Sequence, residues 1–361
     1  MKAPRVYVTA DIGREAILRL SGAGFEVEVH PEIEPPAHDV LLAKVASGID
    51  GLVTTIRDRI DEPLLSKAAE AGLKIVAQVA VGYDNIDVPA ATRHGIPVAN
   101  TPDVLSDATA EFAFFMMGDV ARKLYPSEDL VRSGRWGVWH PHHPWLGDNV
   151  AGKTVAVIGA GRIGKAFVHK CAGFDMDILC HARTPDEKFR ADVQRVMDLR
   201  AQLGFGERRT IEYVTLDQAL AAADFVSLHV PLIKSGPEAT VHFMNEGRLR
   251  QMKKTAYLIN TTRGPVVDED ALARVLLDGA IAGAALDVFA KEPLPMDSPL
   301  RDERLFLKLR LFNHLGSGTW ETRLSPDPNV GMAGRAVQSV IDRLGGADPR
   351  RMAWVVNRSD L

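Results

Sequence analysis

Two groups of residues have types and spacings that could do chemistry. The first is "VAVIGAGRIGKA", in which Gly159, Gly161 and Gly164 stand in G-x-G-x-x-G spacing. They follow a short buried-strand run and open a helix beginning at Arg162. In that setting backbone N–H groups and a helix N-terminus can hold a pyrophosphate, so the turn, with Arg162 and Ile163 inside it, reads as dinucleotide-binding. The plain alternative is a structural βα turn. The second group comes later: Arg263 in "INTTRGPVVDEDAL", Glu292 in "LDVFAKEPLP" and His314 in "LFNHLGSGTW". A carbonyl that accepts a hydride needs a proton donor for the developing alkoxide and a cation to grip the substrate. A carboxylate beside a histidine favours imidazolium, the form that donates. Taken singly, the three also read as surface charge, loop acid and strand-end histidine, and spacing alone does not bring them together.

A dinucleotide turn usually has an acid roughly 20 positions on, where it accepts hydrogen bonds from the adenosine ribose. Here "ILCHARTP" places Ala182 there, followed by Arg183 and Thr184. A carboxylate would repel a 2′-phosphate; its absence removes that repulsion, while Arg183 offers a guanidinium and Thr184 a hydroxyl. The expectation is NADP(H) as preferred cofactor, with NAD(H) possible if Arg183 only solvates a surface loop.

Positioning these residues is the task of short β-branched runs that alternate with helical patterns. "RVYVTA", "FEVEVH", "GLVTT", "LKIVAQV" and "IPVAN" form one series of strands. A second begins at "KTVAVIG" and continues through "DILC", "DFVSLHV", "AYLINT", "GAALDVF" and "LRLFNH". Such alternation predicts parallel sheets covered by helices. The fold class is therefore α/β, with two doubly wound, Rossmann-like parallel-sheet domains and a cleft between them. Between the series, residues 106–124 read as a buried helix and "YPSEDLVRSGRWGVWHPHHPWLG" as an irregular arm. Residues 184–210 are charged, helical in period, and read as a surface insertion between two strands.

Composition narrows the function classes. The chain has 361 residues, 46% hydrophobic and 25% charged, with net charge −4. A mildly acidic chain without a basic run argues against nucleic acid or an anionic membrane as partner. No apolar segment approaches membrane-spanning length, and the N-terminus lacks a signal-peptide core, so a cytoplasmic protein is expected. Cys171 and Cys180 read as reduced buried thiols. His140, His142 and His143 cluster in the arm, but no acid or cysteine stands with them at ligand spacing, so no metal is expected.

Four ordered stretches resemble the signatures of the D-isomer-specific 2-hydroxyacid dehydrogenases: "VAVGYDNIDVPAATRHGIPVANTP", "GKTVAVIGAGRIGKA", "LINTTRGPVVDEDAL" and "AALDVFAKEP". The resemblance runs from about residue 70 to about 320. Within the family, "WGVW", "GFDMDILCHARTP" and "MKKTAYLINTTRGPVVDEDAL" are most similar to glyoxylate/hydroxypyruvate reductases. The segment after Thr184 resembles the plant-type hydroxypyruvate reductases, although those carry an acid where Ala182 stands. Asn313 also replaces the proline that usually precedes the family histidine, and "RDERLFLKLRLF" departs from the family pattern.

The resemblance implies roles. His314 would be the acid/base, Glu292 its carboxylate partner and Arg263 the substrate clamp. The amides of Val81 and Gly82 would hold the substrate carboxylate. Asp287 would meet the nicotinamide carboxamide, with Thr261, Thr262, Arg263, Val230 and Pro231 lining the cofactor cleft and Thr109 a further contact. Residues 1–102 plus 319–361 would form the substrate domain and 103–318 the NAD(P)-binding domain, closing to exclude water. The activity implied is reduction of a small 2-oxo acid, glyoxylate or hydroxypyruvate, to the D-2-hydroxy acid. A homodimer joined through the arm is implied by analogy. The alternatives are a dehydrogenase for D-lactate, phosphoglycerate, formate or phosphite, and a dinucleotide-sensing corepressor-like scaffold. The absence of a further regulatory domain weighs against phosphoglycerate; Glu292, where formate enzymes carry glutamine, weighs against formate.

Overall fold

The structure, a computed structural model, describes residues 2–142 and 145–361. The chain divides into two compact units, Met1–Leu105 with Ser317–Leu361, and Ser106–Gly316.

In the first unit β1 (Arg5–Val8), β2 (Glu26–Val29), β3 (Gly51–Thr54), β4 (Ile75–Gln78) and β5 (Val98–Ala99) form a parallel sheet. Its order is β2-β1-β3-β4-β5. Strand side chains alternate between faces, and both faces are covered. Leu52 and Val76 join Leu41, Val45, Leu64 and Leu65 on one side; Val53, Ile75 and Ala77 join Ala16, Leu20, Val337 and Val340 on the other. That double burial is why β3 and β4 read as continuous apolar runs rather than alternating ones. The C-terminal segment completes this unit. Helix Met332–Leu344 lies so close to β3 that a Cβ on Gly51 would stand 3.1 Å from Val340. Asn357 accepts from Val98 N and donates to Ile96 O, both at 3.0 Å.

The second unit holds β6 (Thr154–Ile158), β7 (Asp177–His181), β8 (Ile211–Tyr213), β9 (Phe225–Leu228), β10 (Tyr257–Asn260), β11 (Gly283–Leu286) and β12 (Leu309–Leu311). They form a parallel sheet in the order β12-β11-β10-β9-β6-β7-β8. The chain runs outward from β6 in one direction and resumes at β9 on its other side. This reversal is the switch point at which open α/β sheets bind ligands. Again the strand faces separate: Ala156 and Ile158 pack into one apolar cluster, Val155 and Val157 into the other.

Three features differ from the sequence reading. The edge strand β8 is absent from the strand series above, because it is three residues long and only Ile211 is fully buried. Consequently residues 184–210 are not a surface insertion. They carry Glu187–Gln202, the helix that crosses from β7 to β8, anchored by buried Val193 and Met197. The start of the arm is also regular, because Leu124–Arg132 is helical. Among the described residues no helix is long and apolar enough to cross a membrane.

Candidate active site

Each glycine of the turn after β6 has its own structural reason. Gly159 has φ 99°, and a Cβ there would stand 2.7 Å from His229 C and 2.9 Å from Val230 N, just beyond the end of β9. A Cβ on Gly164 would stand 2.3 Å from the Gly159 carbonyl oxygen, so this residue sets how closely helix Arg162–Gly173 approaches the turn. A Cβ on Gly161, in contrast, meets nothing within 4 Å. One glycine makes the bend, one lets the helix pack, and one leaves open space beside the helix N-terminus, the arrangement a pyrophosphate requires. No side chain caps that N-terminus, which leaves its first N–H groups for a ligand. Arg162 begins the helix, and Ile163 packs into the apolar cluster beneath it. Val230 is half-buried; Pro231 is exposed, and its carbonyl accepts from Thr240 Oγ1 at 2.7 Å.

β7 ends at His181. Ala182 packs into the apolar cluster, while Arg183 and Thr184 are exposed. The Arg183 guanidinium forms an ion pair with Glu238, from the loop that follows β9. This carboxylate occupies the guanidinium expected to meet the phosphate, and no short motif points to it.

The loop after β10 is built by Asn260, which is fully buried. Its Oδ1 accepts from Thr262 N at 3.0 Å and from Thr262 Oγ1 at 2.7 Å, and its Nδ2 donates to the Arg263 carbonyl at 3.1 Å. Arg263 Nη1 donates to the Thr262 carbonyl at 2.8 Å. Thr261 Oγ1 is buried with no hydrogen-bond partner among the described residues, so it has capacity for a ligand. Asn260 was not among the expected site residues; an amide at the strand end, directly before the loop, is the signal that could have pointed to it.

His314 and Glu292 meet: Nδ1 lies 2.9 Å from Oε2, while Oε1 accepts from Phe289 N at 3.0 Å. Burial acts to raise the pKa of Glu292, but the His314 hydrogen bond and charge, the Phe289 amide and the Arg263 charge outweigh it and hold the carboxyl below the ordinary glutamate range. The other two residues of the later group, His314 and Arg263, therefore both act on this carboxylate. His314 has φ 61°, a left-handed conformation that a non-glycine residue keeps only when its surroundings enforce it. Asp287 supplies the enforcement. Its carbonyl accepts from His314 N at 2.9 Å, and its two carboxylate oxygens accept from Leu315 N and Gly316 N, each at 2.7 Å. Burial pushes the Asp287 pKa up against the lowering effect of those two amides and of His314. Thr109 stands beside this clamp, its Cγ2 3.3 Å from where a Gly316 Cβ would lie.

Val81 and Gly82 belong to the first unit, in the half-buried loop after β4. In the arm, His142 N donates to His140 Nδ1 at 3.1 Å, and His143 lies outside the described residues. Among the described residues no group of three His, Cys, Asp or Glu side chains could hold a metal ion.

Comparison with known proteins settles the family. Residues 114–308 match the profile of the D-isomer specific 2-hydroxyacid dehydrogenase, NAD binding domain. A glyoxylate reductase of Korarchaeum cryptofilum is 43% identical over 324 residues, 89% of this chain and 88% of its own length. The chain belongs to the D-isomer-specific 2-hydroxyacid dehydrogenase family. This dehydrogenase shares its fold with a Thermus thermophilus protein of known structure, at TM-score 0.80 and 36% identity, over 96% of this chain and 98% of that one. It is also similar to an NADPH-dependent glyoxylate/hydroxypyruvate reductase of Sinorhizobium meliloti, solved with NADP and malonate. There the TM-score is 0.76 and the identity 28%, over 100% and 98% of the two chains. As a member of the family, the dehydrogenase is an oxidoreductase of 2-hydroxy acids that uses a nicotinamide dinucleotide.

Proposed function

We propose that this protein reduces glyoxylate or hydroxypyruvate to glycolate or D-glycerate, with His314 as acid/base and NADPH preferred over NADH. The observation that carries the chemistry is the His314–Glu292 pair with the charge of Arg263 beside it. The relatives named above, one a glyoxylate reductase and one an NADPH-dependent glyoxylate/hydroxypyruvate reductase, support the choice of substrate. Ala182 and Arg183 support the choice of cofactor.

The glycine turn, Arg162, Ile163, Val230 and Pro231 hold the dinucleotide, and Arg183 and Thr184 meet its 2′-phosphate. Thr109, Thr261, Thr262 and Asp287 border the nicotinamide. When bound, the reduced nicotinamide supplies a hydride for C2 of the 2-oxo acid. The amides of Val81 and Gly82 hold the substrate carboxylate, and Arg263 grips it and polarises the carbonyl. With Nδ1 turned to Glu292, His314 delivers its proton to the carbonyl oxygen from Nε2, and Glu292 stabilises the imidazolium until transfer. On this reading the first unit is the substrate domain and the second the nucleotide domain.

Steady-state kinetics with glyoxylate and hydroxypyruvate against NADPH and NADH test the reading, on the wild type and on His314→Gln. The expected result is turnover of both acids, a higher kcat/KM with NADPH, and a loss of kcat of two orders of magnitude or more in the variant. Near-wild-type turnover by His314→Gln overturns the assignment of the acid. Equal rates across large and small 2-oxo acids overturn the narrow substrate class.

The arm supports a homodimer as the working form. Trp136, Val138, Trp139 and Leu146 are more than half exposed, Trp139 at 74%, an apolar density that a partner surface would cover. Light scattering across a dilution series should give twice the chain mass; a monomer at micromolar concentration refutes it.

A further inference from the structure

The loop that carries Val81 and Gly82 is braced through its carbonyls. Three consecutive carbonyls accept hydrogen bonds: Ala80 O from Thr101 N at 2.9 Å, Val81 O from Asn100 Nδ2 at 2.8 Å, and Gly82 O from Gln78 Nε2 at 3.1 Å. In a trans peptide the N–H lies opposite the carbonyl of the same plane. Each bond therefore turns one N–H, those of Val81, Gly82 and Tyr83, away from the group that holds its carbonyl. Successive amides that converge form an anion-binding concavity.

Gly82 needs such braces more than its neighbours do. Without a Cβ it has wide conformational freedom, yet both peptide planes that flank it are tied, one by Asn100 and the other by Gln78. Neither brace is a surface group. Gln78 is fully buried and Asn100 is 8% exposed. Every polar atom of the Gln78 side chain is used: Oε1 accepts from Thr54 Oγ1 at 2.8 Å, and Nε2 also donates to Asn85 Oδ1 at 2.6 Å. Asn85 in turn donates to the carbonyls of Thr55 and Asp58, at 3.1 and 2.7 Å. The network thus ties the loop to the ends of β3 and β4, and the amide at position 78 serves both acceptors while accepting from Thr54, which an isosteric carboxylate cannot do.

We infer that Asn100 and Gln78 are positioning residues that set the affinity for the substrate carboxylate by fixing the two peptide planes around Gly82. The inference rests on the reading of the Val81 and Gly82 amides as carboxylate donors. It adds that their aim comes from two buried side-chain amides outside the reacting set.

The test uses the full-length enzyme with saturating NADPH. Asn100→Asp and Gln78→Glu keep side-chain shape but exchange a donor for an acceptor, and Asn100→Ser serves if the first does not fold. The expected result is a rise of about 5- to 50-fold in KM for glyoxylate and an equal loss of affinity for oxalate, a dead-end carboxylate probe. The kcat stays within about threefold, and the Kd for NADPH does not change, because the lost interaction holds ground state and transition state alike. A merely structural role would lower kcat and weaken NADPH binding together with KM, and that outcome overturns the inference. So does an unchanged KM. The underlying reading is checked separately on wild-type enzyme labelled with 15N-glycine: oxalate should shift the Gly82 amide resonance. A shift with unchanged KM in the variants refutes the positioning role alone; no shift removes the reading beneath it as well.

Discussion

On the proposed reading cofactor preference turns on one ion pair whose worth can be bounded. Arg183 and Glu238 are 69% and 55% exposed in their side chains, so the pair contributes only about 0–1 kcal/mol against solvent. A guanidinium bonded to a phosphate is worth about 1.5–3 kcal/mol. On the proposed reading Arg183 exchanges the first interaction for the second when NADPH binds, and the net gain is about 1–2 kcal/mol. Arg183→Gln should therefore reduce the ratio of kcat/KM for NADPH over NADH by about 5- to 30-fold, almost wholly through the NADPH term. Glu238→Gln removes both the competing partner and a negative charge near the phosphate, and should raise the same ratio by about two- to fivefold. Both effects should shrink between low and high ionic strength, since the groups are exposed. Initial-rate assays with each cofactor, at fixed glyoxylate and ionic strength, read all of this directly. If Arg183→Gln leaves the ratio within twofold of wild type, the 2′-phosphate is held elsewhere. If Glu238→Gln lowers the ratio, the carboxylate aims Arg183 at the phosphate and does not compete with it.

Three further outcomes are expected. His229 is half-buried, with Nε2 2.9 Å from Ser227 Oγ and its ring against Phe167, and burial of the ring depresses its pKa to about 3. The native state stays neutral where the unfolded chain takes up a proton, so this residue's stability contribution is full above the unfolded value and lost as pH falls toward 3, by roughly 4–5 kcal/mol at most. Urea midpoints between pH 7 and pH 4 should fall less steeply in His229→Gln than in wild type, and parallel profiles would refute the neutral buried ring. Gly264→Ala places a Cβ 1.8 Å from Phe289 C and 2.1 Å from Ala290 N. The backbone beside Arg263 must move, at a cost of about 3 kcal/mol or more. Denaturant unfolding should show that loss together with a fall in kcat, whereas wild-type stability would contradict the contact. Cys171 and Cys180 are both buried, and burial pushes the Cys180 thiol up to about 12 and the Cys171 thiol well above its usual range. Ellman's reagent should find no reactive thiol in the native protein at pH 8 and two after unfolding; fast native labelling would refute the burial.

What could be read from residue order depends on how each feature is encoded. Strands buried on both faces, such as β3, β6 and β10, announce themselves as unbroken apolar runs, and the doubly wound class followed from them. The edge strand β8 has no such run, and the helix Glu187–Gln202 buries only Val193 and Met197, so its charged remainder resembled an insertion. The glycine turn is local, and its spacing displays it. Pairings are not local. Glu292 and His314 are 22 residues apart, and Arg183 and Glu238 are 55 apart; only folding shows which side chains meet. The braces Gln78, Asn100 and Asn260 were the least visible, because a buried amide that shapes a loop looks in sequence like any polar residue at the end of a strand.

The return of the chain to its first sheet has a consequence for synthesis. The N–H of Val98 is satisfied by Asn357, which is translated 259 residues later. The second unit, Ser106–Gly316, is continuous in sequence and has every strand it needs once β12 emerges from the ribosome. The first unit must keep part of one face of its sheet without helix Met332–Leu344 until that helix is made. A nascent chain halted shortly after β12 should therefore already protect the dinucleotide turn from protease while leaving β1 to β5 open to cleavage.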